Sequence, residues 1–224
     1  MISYCKNYNG TITNISTSNS VASATNTNIT NNSFDDYFQP TVMPFDVTIK
    51  ALLSSTHIAV CVGFGKNVTV TVDSISHTVS KLGAIIIERA VDAGDSVVIT
   101  INSDEPIALN FVQLCELEHM ANDYEAGFLY TELINARRNV TVENFGAPSG
   151  QTSKRKAVPV TLNLPNVDVS ELEKARDFQD PTELKVVDFD GVQMAIFDVT
   201  VKTSRHARLE QLVKVSAKYK VWVN

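Results

Sequence analysis

Cysteine is scarce in this chain and poorly placed for chemistry. Cys5, Cys61 and Cys115 are odd in number, far apart and without a C-x-x-C pair, so a zinc knuckle or ribbon has no ligand framework. Cys61 and Cys115 fall inside apolar runs, where a cysteine acts as a small buried hydrophobe in a reducing compartment. A Cys61–Cys115 disulfide is the alternative, and it depends on a geometry that spacing does not carry. Long apolar runs are missing too. No stretch approaches the ~18 residues of a membrane span, and Met1–Tyr8 lacks the apolar core of a secretory signal. The expectation is a soluble chain without a membrane span, made in a cytoplasm. N-x-[ST] matches such as those at Asn14, Asn28, Asn67 and Asn139 are what a chain rich in Asn and Thr gives by chance. Excess positive charge is also absent. A net charge of −6 argues against nucleic acid, whose binding rests on displacing counterions from phosphates.

The motifs of catalysis are missing as well. His57, His77, His119 and His206 are scattered, with no H-x-x-x-H or H-E-x-x-H spacing. There is no G-x-S-x-G elbow, and no cysteine has a motif-level histidine. Gly63-Phe-Gly-Lys-Asn67 lacks the spacing of a phosphate loop and has no helix after it. Asp188-Phe-Asp-Gly191 is a turn without the further ligands of a calcium loop. Asp35 and Asp36 are adjacent, so on a strand they face opposite ways and do not work as a pair. Glycosidase carboxylates pair in space rather than in sequence, so nothing here speaks for them. The expectation is no enzyme, no cofactor and no metal.

What the chain has in abundance is period-two alternation. Asn67–Asp73, Asp95–Ile101 and Ile107–Leu114 are rich in β-branched residues; Val68, Val70 and Val72 share one face, and Thr69 and Thr71 the other. Phe45–Lys50 alternates likewise. His57–Phe64 is continuously apolar, as a strand buried on both faces would be. Asp73–Val79 reads as a turn and short strand, and Ala84–Glu88 as a further strand. Turn signals recur every 8–12 residues. The chain therefore reads as mainly β: an antiparallel β-sandwich, jelly-roll or discoidin-like, over residues 34–117.

Residues 1–33 are poor in charge and rich in Asn, Ser and Thr, which favour turns and extended chain. They read as a polar arm. It is either a flexible tail or a segment ordered against a neighbouring subunit, with Ile12, Ile15, Val21 and Ile29 as anchors. Residues 118–157 read as a connecting segment, with a short strand at Asn139–Glu143, a loop at Phe145–Ser153 and a basic cluster at Lys154–Lys156. Residues 158–224 read as a smaller C-terminal β domain. It has a strand Ala157–Pro165 closed by proline, one helix near 170–178 opened by the capping pattern Ser170–Glu173, and strands at 183–189, 192–202 and 209–223. In the last, Val213, Val215, Ala217, Tyr219, Val221 and Val223 alternate with Lys214, Ser216, Lys218, Lys220 and Trp222. Trp222 on the polar side either covers lysine stems or anchors an interface.

Several pieces carry a resemblance. Thr11–Ser16 through Phe34–Phe38 resembles a lead-in, Val68–Val72 and Ser96–Ile101 resemble sandwich strands, Tyr124–Tyr130 resembles the exit from the sandwich, and Lys156–Pro165 resembles the opening strand of a C-terminal domain. Together the layout resembles tailed-bacteriophage virion proteins of tails and tail tips, which frame a discoidin- or carbohydrate-module-like sandwich. One departure is a missing lead-in tryptophan, with Tyr37-Phe38 in its place. The resemblance implies a structural virion role in tail, tail tip or neck, many copies contacting one another and other virion proteins, assembly in the bacterial host cytoplasm, and no catalytic residues. The alternative is a carbohydrate-binding module for a host-surface glycan. Exposed rings would serve either reading, as interface or as sugar platform: Tyr37, Phe38, Phe64, Phe128, Tyr130 and Trp222.

Overall fold

In a computed structural model of the chain the described residues are 2–17, 38, 40, 42–63, 67–80, 82–105, 107–120, 141–146, 152–168, 185–189, 191–205 and 212–223. Among them there are strands and turns and no helix. In chain order the strands are β1 (Ile2–Lys6), β2 (Gly10–Thr17), β3 (Phe45–Ala51), β4 (Ser55–Gly63), β5 (Thr69–Val72), β6 (Ile75–Thr78) and β7 (Ala84–Val91). They continue with β8 (Ser96–Asn102), β9 (Ala108–Met120), β10 (Thr141–Gly146), β11 (Thr152–Asp168), β12 (Lys185–Phe189), β13 (Val192–Arg205) and β14 (Leu212–Val223). They form two antiparallel sheets. The larger runs β10-β11-β14-β13-β12-β1-β9-β4-β7, the smaller β2-β3-β8-β5-β6.

The period-two segments pack as the alternation requires. Phe45, Val47, Ile49 and Ala51 of β3, Val70 and Val72 of β5, and Val97, Ile99 and Ile101 of β8 are buried. They share one apolar cluster with Ile58, Val60 and Val62 of β4, Ile85 and Ile87 of β7, and Leu109, Val112 and Leu114 of β9. The two sheets thus bury a common core. Asp73 and Ser74, both at positive φ, join β5 to β6 as a two-residue turn of the kind whose twist matches a hairpin.

Strands β4 and β9 are buried on both faces because each face has its own core. A second cluster gathers Ala59 and Cys61 of β4, Phe111 and Cys115 of β9, Cys5, Ala84, Val186 and Ala195. It exists because the larger sheet curls until its free edge β7 meets the first half of β13. Gly83 and Met194 form an isolated antiparallel bridge, and Ser80 Oγ donates to the Gln193 carbonyl at 2.7 Å. Strands β13, β12, β1, β9, β4 and β7 therefore close a ring around the second cluster. Beyond Ile196, β13 leaves the ring to pair with β14, which carries β11 and β10.

Several segments differ from the sequence reading. Residues 2–17, expected in a polar arm, are strands of both sheets: β1 lies between β12 and β9, and β2 pairs with β3. The register shifts between Ile12 and Asn14, so the two buried isoleucines of β2, Ile12 and Ile15, stand three apart and hide the alternation. Strand β9 runs to Met120, past the expected boundary at 117, and β12 pairs with β1. The C-terminal strands therefore continue the larger sheet. The Cys61–Cys115 disulfide does not form. All three cysteines are free; Cys61 lies across from Phe111, and His57 is the residue across from Cys115.

Strand β11 runs through both its prolines. Pro159 stands just past Ala157, where β10 ends, and the register shifts between Leu164 and Val167, around Pro165. Thr152 and Ser153, expected in a loop, are strand, and the Lys154–Lys156 cluster lies opposite Asn144, Glu143 and Val142 of β10. The helix expected near 170–178 falls outside the described residues.

Candidate functional site

Strand pairing fixes which side chains meet at the mouth of the ring. Partners across an antiparallel ladder share a face. His57 is paired with Glu88 on one side and Cys115 on the other, Ser3 with His119 and Asp188, and Asp188 with Gln193. All therefore look toward the ring axis at one end. They surround a cleft of about 250 Å³ lined by Ser3, His57, Ile86, Glu88, Leu117, Asp188, Gly191 and Gln193. Behind it the ring interior holds Cys5, Cys115, Ala59, Val186, Ala195, Cys61, Ala84 and Phe111, with Tyr8 set edge-on to Phe111 at 4.9 Å. Mouths of closed sheets are a recurrent place for small ligands.

The polar groups of the mouth hold one another. Ser3 Oγ lies 2.8 Å from His119 Nδ1, and Thr56 Oγ1 lies 2.8 Å from His57 Nδ1. The Asp188 carboxylate accepts from the Gly191 N–H at 2.6 Å and from Gln193 Nε2 at 3.1 Å. Gly191, at φ +86°, makes that turn possible. Burial pushes the His57 imidazole below its ordinary range; Glu88 opposes this, and His119 adds to it. His57 is thus neutral at neutral pH. Deeper in, the Cys5 thiol is held well above the ordinary thiol range by its hydrogen bond with Cys115, then by burial, the Cys115 sulfur and Asp188. A raised thiol is a poor nucleophile.

A Ser-His-carboxylate relay needs a base oriented by a third group. Here the Asp188 carboxylate is taken up by Gly191 and Gln193. No group of three or more His, Cys, Asp or Glu side chains converges as a metal site among the described residues. The arrangement can hold a small polar molecule by hydrogen bonds against the apolar walls of Ile86 and Leu117.

His57 and the Asp188–Gly191 turn, set aside in the sequence for want of a motif, line this cleft, whereas Phe38, the one ring singled out whose side chain is described, does not. Phe38 is half-buried, bridged by backbone to Leu109 at 2.8 Å in both directions, and its ring packs on Phe45 at 5.8 Å. Trp222 lies in β14 opposite Ala157. Tyr37, Phe64, Phe128 and Tyr130 fall outside the described residues. The mouth residues come from six strands and one turn, spread from Ser3 to Gln193, so no local motif announces them. Compared with family models, with curated proteins and with solved structures, the chain finds no match.

Proposed function

We propose that this chain is a non-enzymatic structural protein of a phage virion, a discoidin- or jelly-roll-like β-sandwich that assembles in many copies in a tail, tail tip or neck through its strand edges. Its partners on this reading are copies of itself and other virion proteins, and it is assembled in the bacterial host cytoplasm. The observation that supports it most is the set of strands at the sheet ends. The smaller sheet ends in β2 and β6, the larger in β10. Strand β6 is short and mostly exposed, and Ile75 at its start is 62% exposed. An open strand presents unpaired backbone groups to which a second chain can add. The resemblance of the layout to phage tail proteins supplies the setting.

A sugar-binding module would use exposed ring faces. Phe38, one of the rings considered for that role, instead packs against Phe45 and the core, which leaves that alternative with less support.

The test is solution mass by light scattering over a range of concentrations, on the full chain, on Ser76→Pro in β6, and on a chain lacking residues 18–33. That deletion spares β1 and β2. The expected result is a defined oligomer for the full chain, with Ser76→Pro lowering its mass. A monomer at every concentration would overturn the assembly reading, and a glycan screen would then follow.

A further inference from the structure

Five joints of the ring are ladders of several paired residues: β13 to β12, β12 to β1, β1 to β9, β9 to β4 and β4 to β7. The sixth, between β7 and β13, is built differently. Among the described residues its backbone pairing is the single bridge from Gly83 to Met194. Side chains supply the rest. The Ile86 N–H donates to Gln193 Oε1 at 2.9 Å, and Ser80 Oγ donates to the Gln193 carbonyl at 2.7 Å. Gln193 Nε2 lies 3.5 Å from the Ile86 carbonyl and also donates to Asp188 Oδ2 at 3.1 Å. One glutamine amide thus stands where a strand's backbone would be, and half of it is shared with a neighbour.

Behind this joint the ring holds the small side chains of Ala59, Ala84, Ala195, Cys5, Cys61 and Cys115 together with Phe111 and Val186. The opposite faces of β4, β7 and β9 are clamped by the large core shared with the smaller sheet. A local opening takes the path with the fewest pairings and the least buried apolar contact.

We infer that the β7–β13 joint is a latch. It opens when Gln193 releases Ile86, while the shared core stays folded, and opening brings the buried thiols into contact with solvent. This is a conformational device of the ring itself, and it does not rest on the assembly reading.

Thiol labelling of the full-length native chain with N-ethylmaleimide tests it, with the modified cysteines located by mass spectrometry. All three cysteines are free and buried, so labelling reports opening. The expected result is a labelling rate at Cys5 and Cys115 that hardly changes with low urea, while global unfolding changes steeply. Gln193→Ala should raise that urea-independent rate about tenfold, the effect of losing hydrogen bonds at one joint. Gln113→Ala, which removes a comparable amide elsewhere in the sheet, should leave it unchanged. Labelling that follows global unfolding in the wild-type chain, or that rises equally in both variants, would overturn the latch. Should Gln193→Ala fail to fold, amide exchange of the wild-type chain decides. Exchange of the Ile86 N–H through a low-urea-dependence opening supports the latch, and protection up to the global level overturns it.

Discussion

Gln113 and Gln193 do the same work at two places. Each sets a primary amide, with N–H donors and a carbonyl acceptor, where a strand pairing gives out. Gln113 accepts from the Gly10 N–H at 2.9 Å and donates to the Gly10 carbonyl at 3.0 Å, where the chain leaves β1 for the smaller sheet. Gly10 has to be glycine there, since a Cβ would fall on Ile49 Cγ2 and 2.7 Å from Gln113 Oε1. Gly10→Ala should therefore cost roughly 1–3 kcal/mol of stability, read from urea denaturation. His57 gives a pH signature. Its folded pKa lies below the unfolded value, so the unfolded chain binds the extra proton between the two. His57 therefore contributes stability above the unfolded pKa of about 6.5, and that contribution is lost as pH falls through the lowered folded pKa. Urea midpoints measured from pH 7.5 to 5 should fall, and His57→Gln should flatten the part of that slope that His57 supplies.

At the scale of elements, alternation decides which substitutions hurt. In β8, Ile99 is fully buried and Val98 is 50% exposed. Ile99→Ala should cost about 2–5 kcal/mol, whereas Val98→Ala should stay within about 0.5 kcal/mol. Denaturation of the two variants side by side checks the assigned faces of the strand. The same rule shows why β8 was legible and β2 was not. Val97, Ile99 and Ile101 keep strict period two, while the register shift in β2 spaces Ile12 and Ile15 by three amid Asn, Ser and Thr. Strand β1 is only five residues long, too short to carry a pattern. It is made a strand by the two neighbours that pair with it.

At the scale of the molecule, β1 is the strand that joins the two ends of the chain. It pairs with β9 from the middle of the sequence and with β12 from near its end. Tyr4 and Cys5 within it are fully buried. A chain lacking residues 1–6 should lose the ring's closure and unfold without a single cooperative urea transition, even though the deleted segment reads as part of a polar tail. Near-ultraviolet circular dichroism across a urea series would show it, and a retained sharp transition would count against the ring as one unit.

Local pattern was enough to determine that this chain is mainly β and antiparallel. Period-two burial is written residue by residue, and the turns at Asp73-Ser74 and Asp188–Gly191 follow from residues that tolerate them. The apolar run His57–Phe64 likewise announced a strand with both faces covered. What only the tertiary structure decided is which distant segments meet. Cys5 neighbours Cys115 rather than Cys61 doing so, because β1 inserts beside β9. The cleft of Ser3, His57, Glu88, Asp188 and Gln193 exists because a curled sheet brings its edge back to β13. Such meetings depend on the order and curvature of strands, which the free energy of the whole chain selects and no short stretch encodes.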